Sequence, residues 1–295
     1  MLFFILTPAI GNFTTNSSQS SVYIEPKPSA LPQMYYMGGV SIDLYPNRIV
    51  TANFDNDGLN EIAFIQYNKV SIYDLQTGAI IAEIPKPSDF EYPDIKVADL
   101  NGDGIAEILF AEKGSRIVVM DKTGTTLWEY KPYVAITYGT NTAIVDLDLD
   151  GKLDIFLSSG NGTIYGYRGY DGFKIFQNYI GMGLMSTAGN FNSTPGQELF
   201  ITSTMTSKFL DTQGITQKTI DLETTMGGGS IYGKELAIGN FSNDEFDDIV
   251  VSFTFEDTIK TTYLRIIESG NGTLLWKHTQ ANAENKAVVS NYNSN

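Results

Sequence analysis

Residues 94–112 read DIKVADLNGDGIAEILFAE. Two short segments rich in Ile, Val, Leu and Phe flank a polar stretch of nine, DLNGDGIAE at 99–107. Apolar runs of this length bounded by Asp, Asn and Gly predict two β-strands joined by a tight loop. The arrangement recurs as NFDNDGLNE at 53–61 and DLDLDGKLD at 146–154, and in weaker form as NFNSTPGQE at 190–198 and NFSNDEFDD at 240–248. A further start, NYNSN, occupies 291–295. First positions lie 46, 47, 44, 50 and 51 residues apart. Position 1 is Asn or Asp in all six copies. Position 9 is acidic in the five complete ones: Glu61, Glu107, Asp154, Glu198 and Asp248.

A turn glycine follows each loop, at Gly78, Gly124, Gly172, Gly214 and Gly272. Beyond it comes another apolar segment, such as TTLWEY at 125–130. Each unit therefore reads as four short strands, and no long stretch carries helical periodicity. Four strands at a period of 40–50 residues describe the blade of a β-propeller, because a lone blade cannot cover both its faces and stacked blades cover one another. The expected fold is an all-β propeller of about six or seven blades. It spans 22–295, with repeats starting near 48, 94, 142, 184, 234 and 286. Two readings of the count stay open: segment 22–47 closes the ring, or the chain is a fragment lacking further blades.

Composition narrows the chemistry. The chain has 295 residues, no Cys, one His (His278) and a formal net charge of −15. Thiolate metal sites, disulfides and His-rich centres are excluded. An excess of carboxylates disfavours nucleic acid and anionic membranes and favours cations. The apolar run MLFFILTPAI at 1–10 resembles the core of a secretory signal peptide, and Asn/Thr/Ser-rich residues 11–21 read as a linker. N-x-Ser/Thr sequons begin at Asn12, Asn16, Asn161, Asn192, Asn240 and Asn271. The expected location is extracellular or cell-surface.

The loops carry the chemistry. Hard cations such as Ca²⁺ take six to eight oxygens. Positions 1, 3, 5 and 9 of a tight loop can turn side chains inward, and position 7 can add a backbone carbonyl. Loop one offers Asn53, Asp55, Asp57 and Glu61 with the carbonyl of Leu59. Loop two offers Asp99, Asn101, Asp103 and Glu107 with that of Ile105. Loop three offers Asp146, Asp148, Asp150 and Asp154 with that of Lys152. Gly58, Gly104 and Gly151 supply the sharp turn. Loop five offers Asn240, Ser242, Asp244 and Asp248 with the carbonyl of Phe246, but Glu245 replaces the glycine. It is expected to bind weakly. Loop four, with Glu198 as its lone carboxylate, is not expected to bind. An EF-hand is ruled out, since its twelfth position falls on Phe64, Phe110 and Leu157 and its flanks should be helices.

The pattern D-x-[DN]-x-D-G-x-x-[DE] between strands resembles the FG-GAP/VCBS repeats of integrin-α-type β-propellers, over about residues 48–295. That resemblance implies Ca²⁺ in the loop between the first two strands of a blade. The literal Phe-Gly and Gly-Ala-Pro signatures are absent. The segments DKTGTTLWEY and SGNGTLLWKH also resemble the Trp-docking repeats of quinoprotein-type propellers, with Trp128 and Trp276 keeping the tryptophan and Ala82, Phe176 and Gln217 standing near the other positions. These tryptophans are read as packing between blades. Function is expected to be a secreted or surface calcium-binding module that binds protein or glycan at a rim. No catalytic constellation is visible. A polysaccharide-active enzyme and a structural piece of a larger surface protein stay as alternatives.

Overall fold

The computed structural model describes residues 13–14, 23–24 and 49–281, apart from short internal stretches at 66–68, 88–89, 91–93, 113–115, 131–139, 160, 182–184, 195, 204, 223–229, 243, 257–259 and 271. The expected start of a sixth repeat at 286 lies outside these residues. β1 (Phe13–Thr14), in the segment read as a linker, pairs antiparallel with β2 (Tyr23–Ile24), in the segment 22–47 read as part of the propeller.

The remaining strands form five four-stranded antiparallel sheets, each in sequential up-and-down order. Sheet one holds β3 (Ile49–Ala52), β4 (Glu61–Ile65), β5 (Lys69–Tyr73) and β6 (Ile80–Pro85). Sheet two holds β7 (Asp94–Ala98), β8 (Glu107–Glu112), β9 (Arg116–Met120) and β10 (Thr126–Tyr130). Sheet three holds β11 (Thr140–Val145), β12 (Asp154–Ser159), β13 (Thr163–Tyr167) and β14 (Lys174–Tyr179). Sheet four holds β15 (Met185–Gly189), β16 (Glu198–Thr202), β17 (Thr206–Leu210) and β18 (Thr216–Asp221). Sheet five holds the longer strands β19 (Ser230–Gly239), β20 (Asp248–Glu256), β21 (Lys260–Ile267) and β22 (Leu274–Ala281).

The chain divides into two compact units. One is Met1–Phe90 with Gly104–Ala106 and Asp121–Thr125; the other is Glu91–Asp103, Glu107–Met120 and Thr126–Asn295. In the first unit, sheet one buries Ala63, Val70, Ile72 and Ile84. In the second unit, sheets two to five pack face to face in chain order. Strands β8, β12 and β16 are buried along their whole length, and β12 and β16 lie between sheets that cover them on both sides. Alternation divides each strand between two interfaces. Ile155 and Leu157 of β12 join Leu109 and Ala111 of sheet two, while Phe156 between them joins Leu199 and Ile201 of sheet four. Phe200 faces the other way, toward Ile249, Val251 and Phe253 of sheet five. Each such Ile, Leu, Val or Phe side chain contributes about 1.5–3 kcal/mol by leaving water. The fourth strands are half exposed, as in β10 and β18.

One irregularity repeats in every sheet. A β-bulge follows the turn glycine where the fourth strand pairs with the third. It lines up Ala82, Trp128, Phe176, Lys218 and Trp276 opposite Ile72, Val119, Gly166, Phe209 and Ile266. Because the bulge skips one residue, the fourth-sheet member is Lys218, next to the Gln217 at which sequence spacing pointed. In the second unit these residues cover the turn glycine of the following sheet. A Cβ on Gly172 would sit 2.5 Å from the Trp128 ring, and one on Gly214 would sit 2.7 Å from Phe176. Both glycines also have φ of 71°, which a side chain disfavours.

Candidate metal loops

The five nine-residue loops each connect the first strand of a sheet to the second. One hydrogen bond is common to all of them. The carboxylate at position 9 accepts the backbone N–H at position 2: Phe54 to Glu61 at 2.6 Å, Leu100 to Glu107 at 2.8 Å, Leu147 to Asp154 at 2.9 Å, Phe191 to Glu198 at 2.8 Å and Phe241 to Asp248 at 2.6 Å. In loops one to four the apolar residue at position 2 (Phe54, Leu100, Leu147, Phe191) is buried, so its N–H is shielded from water and needs an acceptor; Phe241 of loop five is exposed and keeps the same bond in a part-buried setting. This bond accounts for the acid at position 9 in every copy, including the copies poorest in other ligands.

A second set of bonds shapes the loop interior. The N–H at position 5 donates to the side-chain oxygen at position 3, from Asp57 to Asp55 at 3.1 Å, Asp103 to Asn101 at 2.8 Å, Asp150 to Asp148 at 3.3 Å and Thr194 to Asn192 at 2.6 Å. The N–H at position 7 donates to position 5, from Leu59 to Asp57, Lys152 to Asp150 and Phe246 to Asp244. These Asx turns hold side-chain oxygens on the inside of the loop. Position 4 takes the left-handed conformation, with φ of 70° at Asn56, 82° at Gly102 and 61° at Leu149.

Two loops gather three carboxylates. Oxygens of Asp55, Asp57 and Glu61 lie within 4.8 Å of one another, as do those of Asp146, Asp148 and Asp154. Two oxygens that share a Ca²⁺ at 2.3–2.6 Å can be at most about 5 Å apart, so both trios fit that ion. Asn53 stands beside the first trio with its Oδ1 on the Asn56 N–H at 2.8 Å, and Gln76 Nε2 donates to Asp57 Oδ2 at 2.9 Å. In the second trio Asp146 holds the Gly151 N–H at 2.9 Å, and Asp150 lies exposed at the loop tip.

Loop two is arranged differently. The Asn101 amide nitrogen donates to Glu107 at 2.8 Å and to Asp103 at 3.2 Å, so an N–H group bridges the two carboxylates. Asp99 accepts the N–H groups of Gly102 and Asp103. Among the described residues this loop forms no three-carboxylate cluster of the kind seen in loops one and three. In loop five Asp248 takes the Phe241 and Ser242 N–H groups, each at 2.6 Å, and the Asn240 amide donates to the Asp244 carbonyl.

Electrostatics point the same way in the three acidic loops. Burial raises the Glu61 carboxyl above its ordinary range, opposed by the Phe54 N–H and reinforced by Asp55, Asp57 and Asp74. Burial pushes Glu107 up to about 7, with Asp103 and Asp99 adding to the effect against the Leu100 N–H. Burial pushes Asp154 up to about 6, with Asp148 adding to it. A divalent cation would reverse each of these penalties, since it compensates clustered negative charge in a shielded place. Oxygen-only donors, with neither Cys nor His at hand, match a hard cation and not zinc or copper.

Some contributions lie beyond sequence reading. Asp154 also accepts the Gly169 N–H at 3.1 Å, which ties loop three to the turn after β13. The Trp128 indole N–H donates to the Gly169 carbonyl at 2.7 Å. The only sequence signal for either is the regular distance between loop and turn glycine.

Comparison with known proteins matches residues 53–110 and 99–157 to the FG-GAP-like repeat family. No curated protein matches the chain. Among solved structures, BBS1N in complex with ARL6DN, from a crystal soaked with lead, aligns with a TM-score of 0.54 at 10% identity over 88% of this chain and 73% of that one. The Neurospora crassa Pan2 WD40 domain aligns with a TM-score of 0.51 at 12% identity over 78% of this chain and 65% of that one. At such identities the likeness speaks for the fold, and WD40 domains are β-propellers. The chain is an all-β propeller with four-stranded blades, and residues 53–157 carry two FG-GAP-like repeats.

Proposed function

From two FG-GAP-like repeats on a β-propeller, we propose that this chain is a calcium-stabilised, non-catalytic binding module that acts outside the cell. The observation that carries the reading is the pair of carboxylate trios, Asp55/Asp57/Glu61 and Asp146/Asp148/Asp154. Ca²⁺ would be held by loops one and three, with loop two joining if Asn101 turns its amide oxygen inward. Bound ions would bring each loop's negative charge to balance and stiffen the rim where the loops and turns stand. That rim is where we place the recognition of a protein or glycan. The apolar leader and the sequons favour secretion, and no helix among the described residues is long and apolar enough to cross a membrane.

The test is thermal unfolding of the full chain with millimolar Ca²⁺, with Mg²⁺ and with chelator. A site filled to ten times its Kd adds about 1.4 kcal/mol. Ca²⁺ should therefore raise the Tm by several degrees, Mg²⁺ should do so less, and D57A with D148A should abolish the rise. An unshifted Tm in a folded protein would reduce the loops to acidic turns and remove the calcium argument.

A further inference from the structure

Loop four lacks the carboxylates of its neighbours, yet it is not loose. Its lone acid, Glu198, holds the Phe191 N–H. The carbonyl of its first residue behaves like that of Asn53, which accepts the Ala106 N–H at 2.8 Å, but its side chain and N–H behave unlike position 1 elsewhere. Asn53, Asp99 and Asp146 turn their oxygens onto their own loops. Asn190 instead reaches to loop five, where its Nδ2 meets the Glu245 carbonyl at 3.5 Å. Its backbone N–H donates to Asp247 Oδ2 at 2.9 Å, and its carbonyl accepts the Asp247 N–H at 2.8 Å. Asp247 is position 8 of loop five. The five position-8 residues are Asn60, Ala106, Leu153, Gln197 and Asp247, so one copy alone carries a carboxylate there.

The same interface holds further polar ties. Buried Arg265 donates Nε to the Leu222 carbonyl at 2.8 Å, and Lys218 Nζ approaches the Gly270 carbonyl at 3.4 Å. Behind them Phe191, Phe200 and Phe209 meet edge to face at 5.1–6.4 Å and pack with Phe253 and Tyr263. We propose that Asp247 is a metal-independent latch: a carboxylate of loop five that caps the Asn190 N–H of loop four and so ties sheets four and five together. The calcium dependence would then be unevenly distributed. Loops one and three need an ion to balance their charge, whereas loop four is held by protein groups. The contrast rests on the calcium reading above, but the latch does not.

The experiment is hydrogen exchange by mass spectrometry on the full chain, wild type, D247A and D247N, each in Ca²⁺ and in chelator. In the wild type, chelation should speed exchange about tenfold in peptides covering 53–61 and 146–154 and leave those covering 187–199 and 245–252 unchanged. D247A should speed the peptides at 187–199 about tenfold in both conditions, because the Asn190 N–H loses its acceptor. D247N keeps an acceptor oxygen and should stay close to wild type. Calcium-dependent protection at 187–199 equal to that at 53–61 would overturn the latch, as would a D247A effect confined to one condition or absent. If no peptide responds to calcium, the metal reading fails, and the D247A arm alone decides the latch.

Discussion

At the residue scale the position-9 carboxylate does two jobs that the acidic loops keep separable. It caps a shielded N–H in sheets one to four, and in loops one and three it also faces other carboxylates. Loop four isolates the first job. Glu198→Ala should cost about 1–3 kcal/mol by orphaning the Phe191 N–H, equally with and without Ca²⁺, and Glu198→Gln should cost less because its amide oxygen can still accept. Urea unfolding in chelator and in Ca²⁺ measures both. Loops two and three bear on pH. Glu107 and Asp154, pushed up to about 7 and about 6, hold their protons more tightly folded than unfolded. Their contribution to stability is complete below the ordinary carboxylate range and is lost as pH rises through 6 to 7. The metal-free chain should therefore unfold at lower urea at pH 7.5 than at pH 5. Glu107→Gln should flatten that slope, and saturating Ca²⁺ should oppose it because the ion binds the ionised form.

At the element scale the bulged fourth strand is the recurring device. It sets one side chain over the next turn glycine, which fixes how neighbouring sheets meet in the second unit. A methyl group at Gly214 would meet Phe176 at 2.7 Å and Ile164 at 2.9 Å in a backbone with φ of 71°. Gly214→Ala should cost about 2 kcal/mol or more, read as a drop in urea midpoint, with sheet four the first to open. The two tryptophans differ in setting. Trp128 bonds to Gly169, while Trp276 is 46% exposed and stacks on His278 with ring centroids 5.6 Å apart. In a Trp128→Phe variant the remaining emission should be red-shifted and open to acrylamide quenching relative to a Trp276→Phe variant. Equal accessibility of the two would contradict the register described.

At the scale of the whole molecule, charge dominates. A formal net charge of −15 with fifteen acids in five loops means that the metal-free chain repels itself where the loops stand. Raising ionic strength from about 20 to 200 mM should stabilise the metal-free protein, because the screening length shrinks from about 20 Å to below 10 Å. The same change should weaken Ca²⁺ binding. Melts at the two salt concentrations, with and without chelator, give both signs in one experiment. Propellers serve many purposes, so the binding role rests on the loops and not on the fold.

Much of this protein is written locally. Strand, nine-residue loop, strand and turn glycine are set by neighbours in sequence, so the repeat, the blade and the identity of the acidic loops follow from spacing, residue type and the φ demands of glycine. Tertiary structure decided what meets across longer stretches of chain, within a sheet and between sheets. Asp154 meets Gly169 across 15 residues, Trp128 meets the same glycine across 41, and Asn190 meets Asp247 across 57. It also decided that the acid at position 9 is a backbone cap, that Asn101 bridges its loop with a donor, and that loop four is tied by its neighbour's carboxylate. Those outcomes depend on which way a side chain turns once two sheets have packed, and no local pattern encodes that.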